Sequence, residues 1–105
     1  MTDFSYLNVD NAYKLINLKV TKTPLVTNDY INNLLEAEIY FKLENLQNTG
    51  SFKLRGATHK ITKLIETVKD SGVVAYSSGN HAQAVAYASM INTISAKIKI
   101  GRAHV

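Results

Sequence analysis

The chain has 105 residues, 46% hydrophobic and 19% charged, which is enough for one small domain with a modest core. It contains no cysteine, so disulfides and thiolate metal sites are excluded. The formal charge of +4 is dispersed along the chain rather than gathered in a basic stripe with interleaved aromatics, which argues against nucleic acid as a partner.

No apolar run approaches the length of a membrane span. The start, Met1-Thr2-Asp3-Phe4-Ser5, lacks a basic stretch followed by an apolar one, so no secretory leader is expected and a cytoplasmic setting fits. His59, His81 and His104 are scattered without ligand spacing, so no metal site is expected.

Asp10 to Ile16 reads as a short helix, with Asp10 as its cap and Ala12, Leu15 and Ile16 apolar. Leu18 to Leu25 reads as extended, because Pro24 keeps Thr23 out of the helical region. Asn28 to Leu35 is compatible with a helical turn or a loop. Glu38 to Leu43 is rich in β-branched and aromatic residues and is the first clear strand. A polar loop, Glu44 to Gly50, follows.

Ser51 to Val68 reads as a helix capped by Ser51, with Leu54, Ala57, Ile61, Leu64, Ile65 and Val68 on one stripe. Asp70-Ser71-Gly72 ends it. Val73 to Tyr76 is a wholly apolar run, as expected of a buried parallel strand. After the turn Ser77-Ser78-Gly79-Asn80, a helix runs from His81 to Met90, where alternate alanines (Ala82, Ala84, Ala86, Ala88) offer small surfaces for close packing. Ser95 to Ile98 begins a third strand. The order β-α-β-α-β predicts an α/β fold with parallel strands.

In such folds ligands bind at the loops that lead from strands into helices. Both of these loops are unusual here. Lys53 stands where a helix begins, an end that disfavours an ammonium and so makes the lysine a candidate amine nucleophile for carbonyl chemistry. The competing reading is a surface lysine whose stem carries its charge to water.

Ser77-Ser78-Gly79-Asn80-His81 opens a second helix. Its free backbone N–H groups suit a carboxylate, with Gly79 allowing close approach and Ser77, Ser78 and Asn80 adding polar groups. The alternative is that Ser78 or Asn80 merely caps the helix. His81 could transfer protons or simply pack, and His59 reads as a surface or packing residue. The glycines form neither a dinucleotide fingerprint nor a nucleotide phosphate loop, so dinucleotides and ATP hydrolysis are not supported.

Glu44-Asn45-Leu46-Gln47-Asn48-Thr49-Gly50-Ser51-Phe52-Lys53-Leu54-Arg55-Gly56-Ala57 resembles the lysine segment of pyridoxal-phosphate threonine/serine dehydratases and the related serine racemases. Ser77-Ser78-Gly79-Asn80-His81-Ala82-Gln83 resembles their substrate loop, and Lys22-Thr23-Pro24-Leu25 a segment near their start. The resemblance covers roughly Leu15 to Ile98. It implies a fold-type II enzyme with pyridoxal 5'-phosphate as cofactor and a small amino acid as substrate.

By this resemblance Lys53 would carry the cofactor as a Schiff base and serve as the base at Cα. Phe52 would pack on the ring, and Asn80 would hydrogen-bond its phenolic oxygen. Residues Ser77, Ser78, Gly79, Asn80 and His81 would hold the substrate carboxylate. Loss of the β-hydroxyl would then give a 2-oxo acid and ammonia. Ser78 keeps racemisation open, since a serine there can return a proton to Cα from the face opposite the lysine.

The family's glycine-rich phosphate loop, the partner of the pyridine nitrogen and the usual metal carboxylates have no match here. Residues 1–98 are therefore expected to be the front part of a longer domain that needs its C-terminal half, with a homo-oligomer of the full-length protein left open. Residues 99–105 are expected to be a non-native tail, because a common short-read sequencing adapter encodes Ile-Gly-Arg-Ala-His-Val followed by a stop, and its first two bases could complete Lys99. Leaving out Lys99 and Arg102 lowers the basic count from 12 to 10 against 8 acids. The competing class is a non-catalytic α/β fragment that recognises a carboxylate through residues 77–81.

Overall fold

The computed structural model describes residues 4–101. Helix α1, Tyr6–Ile16, begins four residues before the expected start. Asn8 Oδ1 accepts from the Ser5 N–H at 2.9 Å, which satisfies a donor the helix leaves free. Asp10 is therefore not the cap. It lies inside the helix and pairs with Lys14 at 3.0 Å. Ile16 is buried, whereas Leu15 is exposed.

The expected extended stretch begins with a turn at residues 17–19 and pairs only at its end, as β1, Leu25–Val26. Asn28 to Leu35 resolves as helix α2, Asp29–Leu35, with Asn28 Oδ1 accepting from the Ile31 N–H at 3.0 Å.

The expected first strand, Glu38 to Leu43, shrinks to β2, Phe41–Lys42. It pairs antiparallel with β1, Leu25 opposite Lys42 and Val26 opposite Phe41, and does not join the parallel sheet. The ladder stops because side chains near α2 take the next backbone groups. Asn32 Oδ1 accepts from the Ile39 N–H at 3.0 Å, and Thr27 Oγ1 donates to the Ile39 carbonyl at 2.8 Å. The polar loop that follows is two 3-10 turns, Glu44–Leu46 and Asn48–Gly50.

The long predicted helix divides into α3, Lys53–Lys63, and α4, Ile65–Val68, at Leu64 (φ −101°, ψ 16°). Leu54, Ala57 and Ile61 of the stripe are buried while Leu64 is exposed, so the core ends about two turns before the stripe does. Gly72, at φ +78°, then turns the chain so that the Val73 N–H reaches the Ser95 carbonyl at 2.9 Å.

Strand β3, Val73–Tyr76, pairs parallel with β4, Ala96–Lys99, in the register Val73–Ala96 to Tyr76–Lys99. The parallel pairing and the α/β class are as predicted. The burial of β3 on both faces is not. Val73 and Ala75 are half-buried, but Val74 and Tyr76 are 80% and 71% exposed, because only one face of the pair is covered. Lys99 belongs to β4, while residues 102–105 of the expected tail lie outside the described residues, as does most of the expectation about the first five.

Helix α5, Asn80–Ile91, packs on α3. Leu54, Ala57 and Ile61 meet Ala84, Val85 and Ala88, and Val73, Ala75 and Ile98 pack on this cluster from the sheet. Of the four alanines, Ala84 and Ala88 are buried, one turn apart on one face. Ala82 is half-buried and Ala86 exposed, as a 3.6-residue period demands of alternate positions. Among the described residues no helix is long and apolar enough to cross a membrane.

Candidate active site

The two singled-out loops converge through the contact between α3 and α5. Lys53 is the first residue of α3, and its side chain is exposed. Ser51 Oγ accepts from the Lys53 N–H at 3.3 Å, so Ser51 serves the helix start although Phe52 occupies the cap position. The Lys53 ammonium lies 6.0 Å from the centre of the Phe52 ring. Phe52, Lys53, Gly56, Ala57 and His81 line one pocket of about 290 Å³. Lys53, Phe52 and His81 are thus brought together, while Ser77, Ser78, Gly79 and Asn80 do not line that pocket.

Helix α5 opens at Asn80 with Gly79 in the cap position, and no side chain caps it. Neither Ser78 nor Asn80 plays the purely structural capping role. Ser77 Oγ accepts from the Gly79 N–H at 3.2 Å, just before the helix. Gly79, at φ −136° and ψ −135°, is neither helical nor extended. A Cβ at Gly79 would meet nothing within 4 Å, which leaves open space beside the uncapped N–H groups. His59 half-emerges from α3 between two shallow pockets against α1 and stands apart from Lys53.

A larger pocket, about 400 Å³, lies along α3 and β3 and is lined mostly by Ala57, Ile61, Leu64, Val73, Val74 and Ala75. Its lining is largely apolar, with Lys60 and His81 as its titratable members, and it shares Gly56, Ala57 and His81 with the pocket of Lys53.

Sequence reasoning missed a polar network behind Lys53. Arg55 Nη2 donates to Glu44 Oε2 at 3.0 Å, and Arg55 Nε donates to Glu44 Oε1. The hydroxyl of Thr23, a buried residue, donates to the same carboxylate. The hydrogen bond from Arg55 first, and the Thr23 hydroxyl after it, hold the Glu44 carboxyl at about 2 against the opposing effect of burial. Glu44 in turn raises the Arg55 guanidinium above its ordinary value. Both residues fell within the quoted lysine segment. The signal available was a pair of opposite charges eleven residues apart, which sequence spacing does not place in contact.

The donor set fits a planar aromatic aldehyde beside a carboxylate: a primary amine with an aromatic ring next to it for the first, and a helix start free of capping side chains for the second. A family model described as pyridoxal-phosphate dependent enzyme matches residues 16–99. This chain belongs to the pyridoxal-phosphate dependent enzyme family.

Within that family the chain is 47% identical over 94 residues to a serine racemase of Dictyostelium discoideum, covering 90% of this chain and 29% of that protein. It is 51% identical over 90 residues to a biosynthetic L-threonine dehydratase of Lactococcus lactis, covering 86% of this chain and 22% of that protein. The structure of maize serine racemase superposes with a TM-score of 0.85 at 38% identity, covering 93% of this chain and 31% of the maize chain. The chain therefore spans less than a third of the length of these relatives, and the fold-type II architecture they share extends well beyond it.

Proposed function

We propose that this chain carries the lysine and substrate-loop portion of a pyridoxal-phosphate lyase that converts L-threonine or L-serine to a 2-oxo acid and ammonia by elimination of the β-hydroxyl. The observation that carries the reading is the pocket in which Lys53, Phe52 and His81 of two separate loops meet. The rest of the cofactor site would come from chain that follows in the full-length protein, residues 1–98 being its front portion and 99–105 a non-native tail.

Lys53 would hold the cofactor through its amine, with Phe52 against the ring and Asn80 donating to the phenolic oxygen. When bound, the cofactor supplies an electron sink for negative charge at Cα. The chain's own residues do the rest. The N–H groups at the start of α5, with Ser77, Ser78, Gly79, Asn80 and His81, would orient the substrate carboxylate. The Lys53 amine would take the Cα proton.

A second reading, serine racemisation, is favoured by Ser78. It is exposed, stands ahead of α5 and is not spent on capping, so its hydroxyl is available to return a proton to Cα. The match to serine racemases supports this reading as well as the first.

The visible spectrum in the presence of pyridoxal 5'-phosphate tests the reading. The full-length protein is expected to develop an absorption band that Lys53→Ala abolishes, and the 105-residue chain is expected to show no stable band. A colourless full-length protein refutes the proposal. Product analysis then separates the two activities: Ser78→Ala is expected to keep 2-oxo acid formation in a lyase and to abolish D-serine formation in a racemase.

A further inference from the structure

The Lys22-Thr23-Pro24-Leu25 segment has no role in the chemistry proposed above, yet it is held at several points. Gln47, 4% exposed, clasps the Thr21 backbone from both sides: its Oε1 accepts from the Thr21 N–H at 2.8 Å, and its Nε2 donates to the Thr21 carbonyl at 2.9 Å. Lys42 Nζ donates to the Thr23 carbonyl at 2.7 Å. Thr23 itself, 3% exposed, donates its hydroxyl to Glu44. The segment is a strap across the two 3-10 turns that precede the lysine.

Those turns contain a costly conformation. Thr49 has φ +69° and Gly50 φ +80°. Left-handed geometry is ordinary for glycine but strained for a β-branched residue, and it persists only where the surroundings enforce it. Two anchors flank the strained pair. Gln47 is fixed to the strap on one side, and its carbonyl accepts from the Gly50 N–H at 2.8 Å. Arg55 is fixed to Glu44 on the other. Lys53 lies between the anchors.

The helix geometry converts this anchoring into aim. Residues two apart on an α-helix project about 200° from each other. Arg55, tied to the strap, therefore sets the opposite azimuth for Lys53, toward the side where His81 lines the pocket. Leu54, between them, is fully buried and locks the same rotation from the core.

We infer that Glu44, acting through Arg55 and fixed in place by the Thr23 hydroxyl, is a positioning residue that aims Lys53 into the pocket it shares with His81. The inference rests on the role proposed for Lys53. A carboxylate engaged on both oxygens fits this role, since it grips the guanidinium as a fork and has a lone pair left for the strap.

The test uses the full-length protein that carries this segment, with the variants Glu44→Gln, Thr23→Val and Thr23→Ser, and with Glu66→Gln, which removes the exposed Lys69 pair on α4, as a control. Pyridoxal 5'-phosphate is the probe. It is trapped with borohydride, and the modified lysine is located by peptide mass spectrometry as the ratio of Lys53 to the exposed Lys60. In parallel, kcat and KM for L-threonine and L-serine are measured separately.

Glu44→Gln and Thr23→Val are expected to lower the Lys53 to Lys60 ratio and to reduce kcat by about tenfold to a hundredfold, the scale of a small misplacement of a reacting group, with KM little changed. Thr23→Ser, which restores the hydroxyl, is expected to recover both, and Glu66→Gln to match the parent. If Glu44→Gln does not fold, the contrast between valine and serine at position 23 decides. Folded variants with reduced thermal stability but a parental ratio and kcat would overturn the inference, as would a serine variant as impaired as the valine one. A parent protein not modified at Lys53 would instead overturn the functional reading, and this inference with it.

Discussion

Replacing Glu44 with glutamine mimics its protonated form at nearly constant shape, so it should erase a specific part of the protein's acid sensitivity. The carboxyl titrates at about 2 in the folded chain against 4.5 for the free group, chiefly because Arg55 hydrogen-bonds its charged form. Between these values the unfolded chain binds the additional proton. The contribution is therefore fully present above about 4.5 and is lost as the pH falls toward about 2. The difference corresponds to about 3 kcal/mol. The Glu44 side chain is only 14% exposed, so solvent screening takes little from that figure.

Urea denaturation followed by far-ultraviolet circular dichroism, at a series of pH values from neutral downward, measures it. The parent is expected to exceed Glu44→Gln by about 3 kcal/mol at neutral pH, and the gap is expected to close through the window from about 4.5 to about 2. The comparison cancels the other carboxylates, which titrate in both proteins. Two curves that stay parallel across the window would refute the reasoning, because the Glu44 carboxylate would then contribute nothing that depends on its charge.

Leu54→Ala is expected to cost about 2–5 kcal/mol in the same denaturation assay, since Leu54 is fully buried between α3 and α5 and its loss leaves a cavity. Gly72→Ala is expected to destabilise by at least about 1 kcal/mol, because φ is +78° and the new Cβ would meet the Ser95 carbonyl oxygen at 2.6 Å. Asn28→Ala removes the side-chain acceptor at the start of α2 and is expected to cost about 1 kcal/mol, read as a lowered thermal midpoint with slowed exchange lost at the Ile31 amide.

Local signals carried much of the chain. The apolar run of β3, the stripe Leu54, Ala57 and Ile61, and the turn residues at 70–72 lie within short windows, so period and turn chemistry made them legible before any tertiary contact was known. The lysine at a helix start belongs to the same class, because a helix end is a local event, whereas the absence of a capping side chain at α5 was decided by the structure. The start of α1 lies before the expected Asp10 for a related reason. Ser5 and Asp10 are both acceptable cap residues, and the choice fell to Asn8, whose side chain reaches back to Ser5.

What the sequence by itself determined, then, is that a helix follows Ser51, a strand runs over Val73–Tyr76 and a second helix follows the Ser77 to Asn80 turn, since periodicity and turn chemistry act within a few residues. Tertiary structure decided the partners. It paired β2 with β1 rather than with the parallel strands, and ended that ladder where Asn32 and Thr27 claim the backbone of Ile39. It joined Thr23, Glu44 and Arg55 across gaps of 21 and 11 residues. It also set Lys53 and His81 on one pocket, through the packing of α3 on α5. Such pairings depend on how helices and turns are oriented in space, and no spacing along a chain encodes that orientation directly.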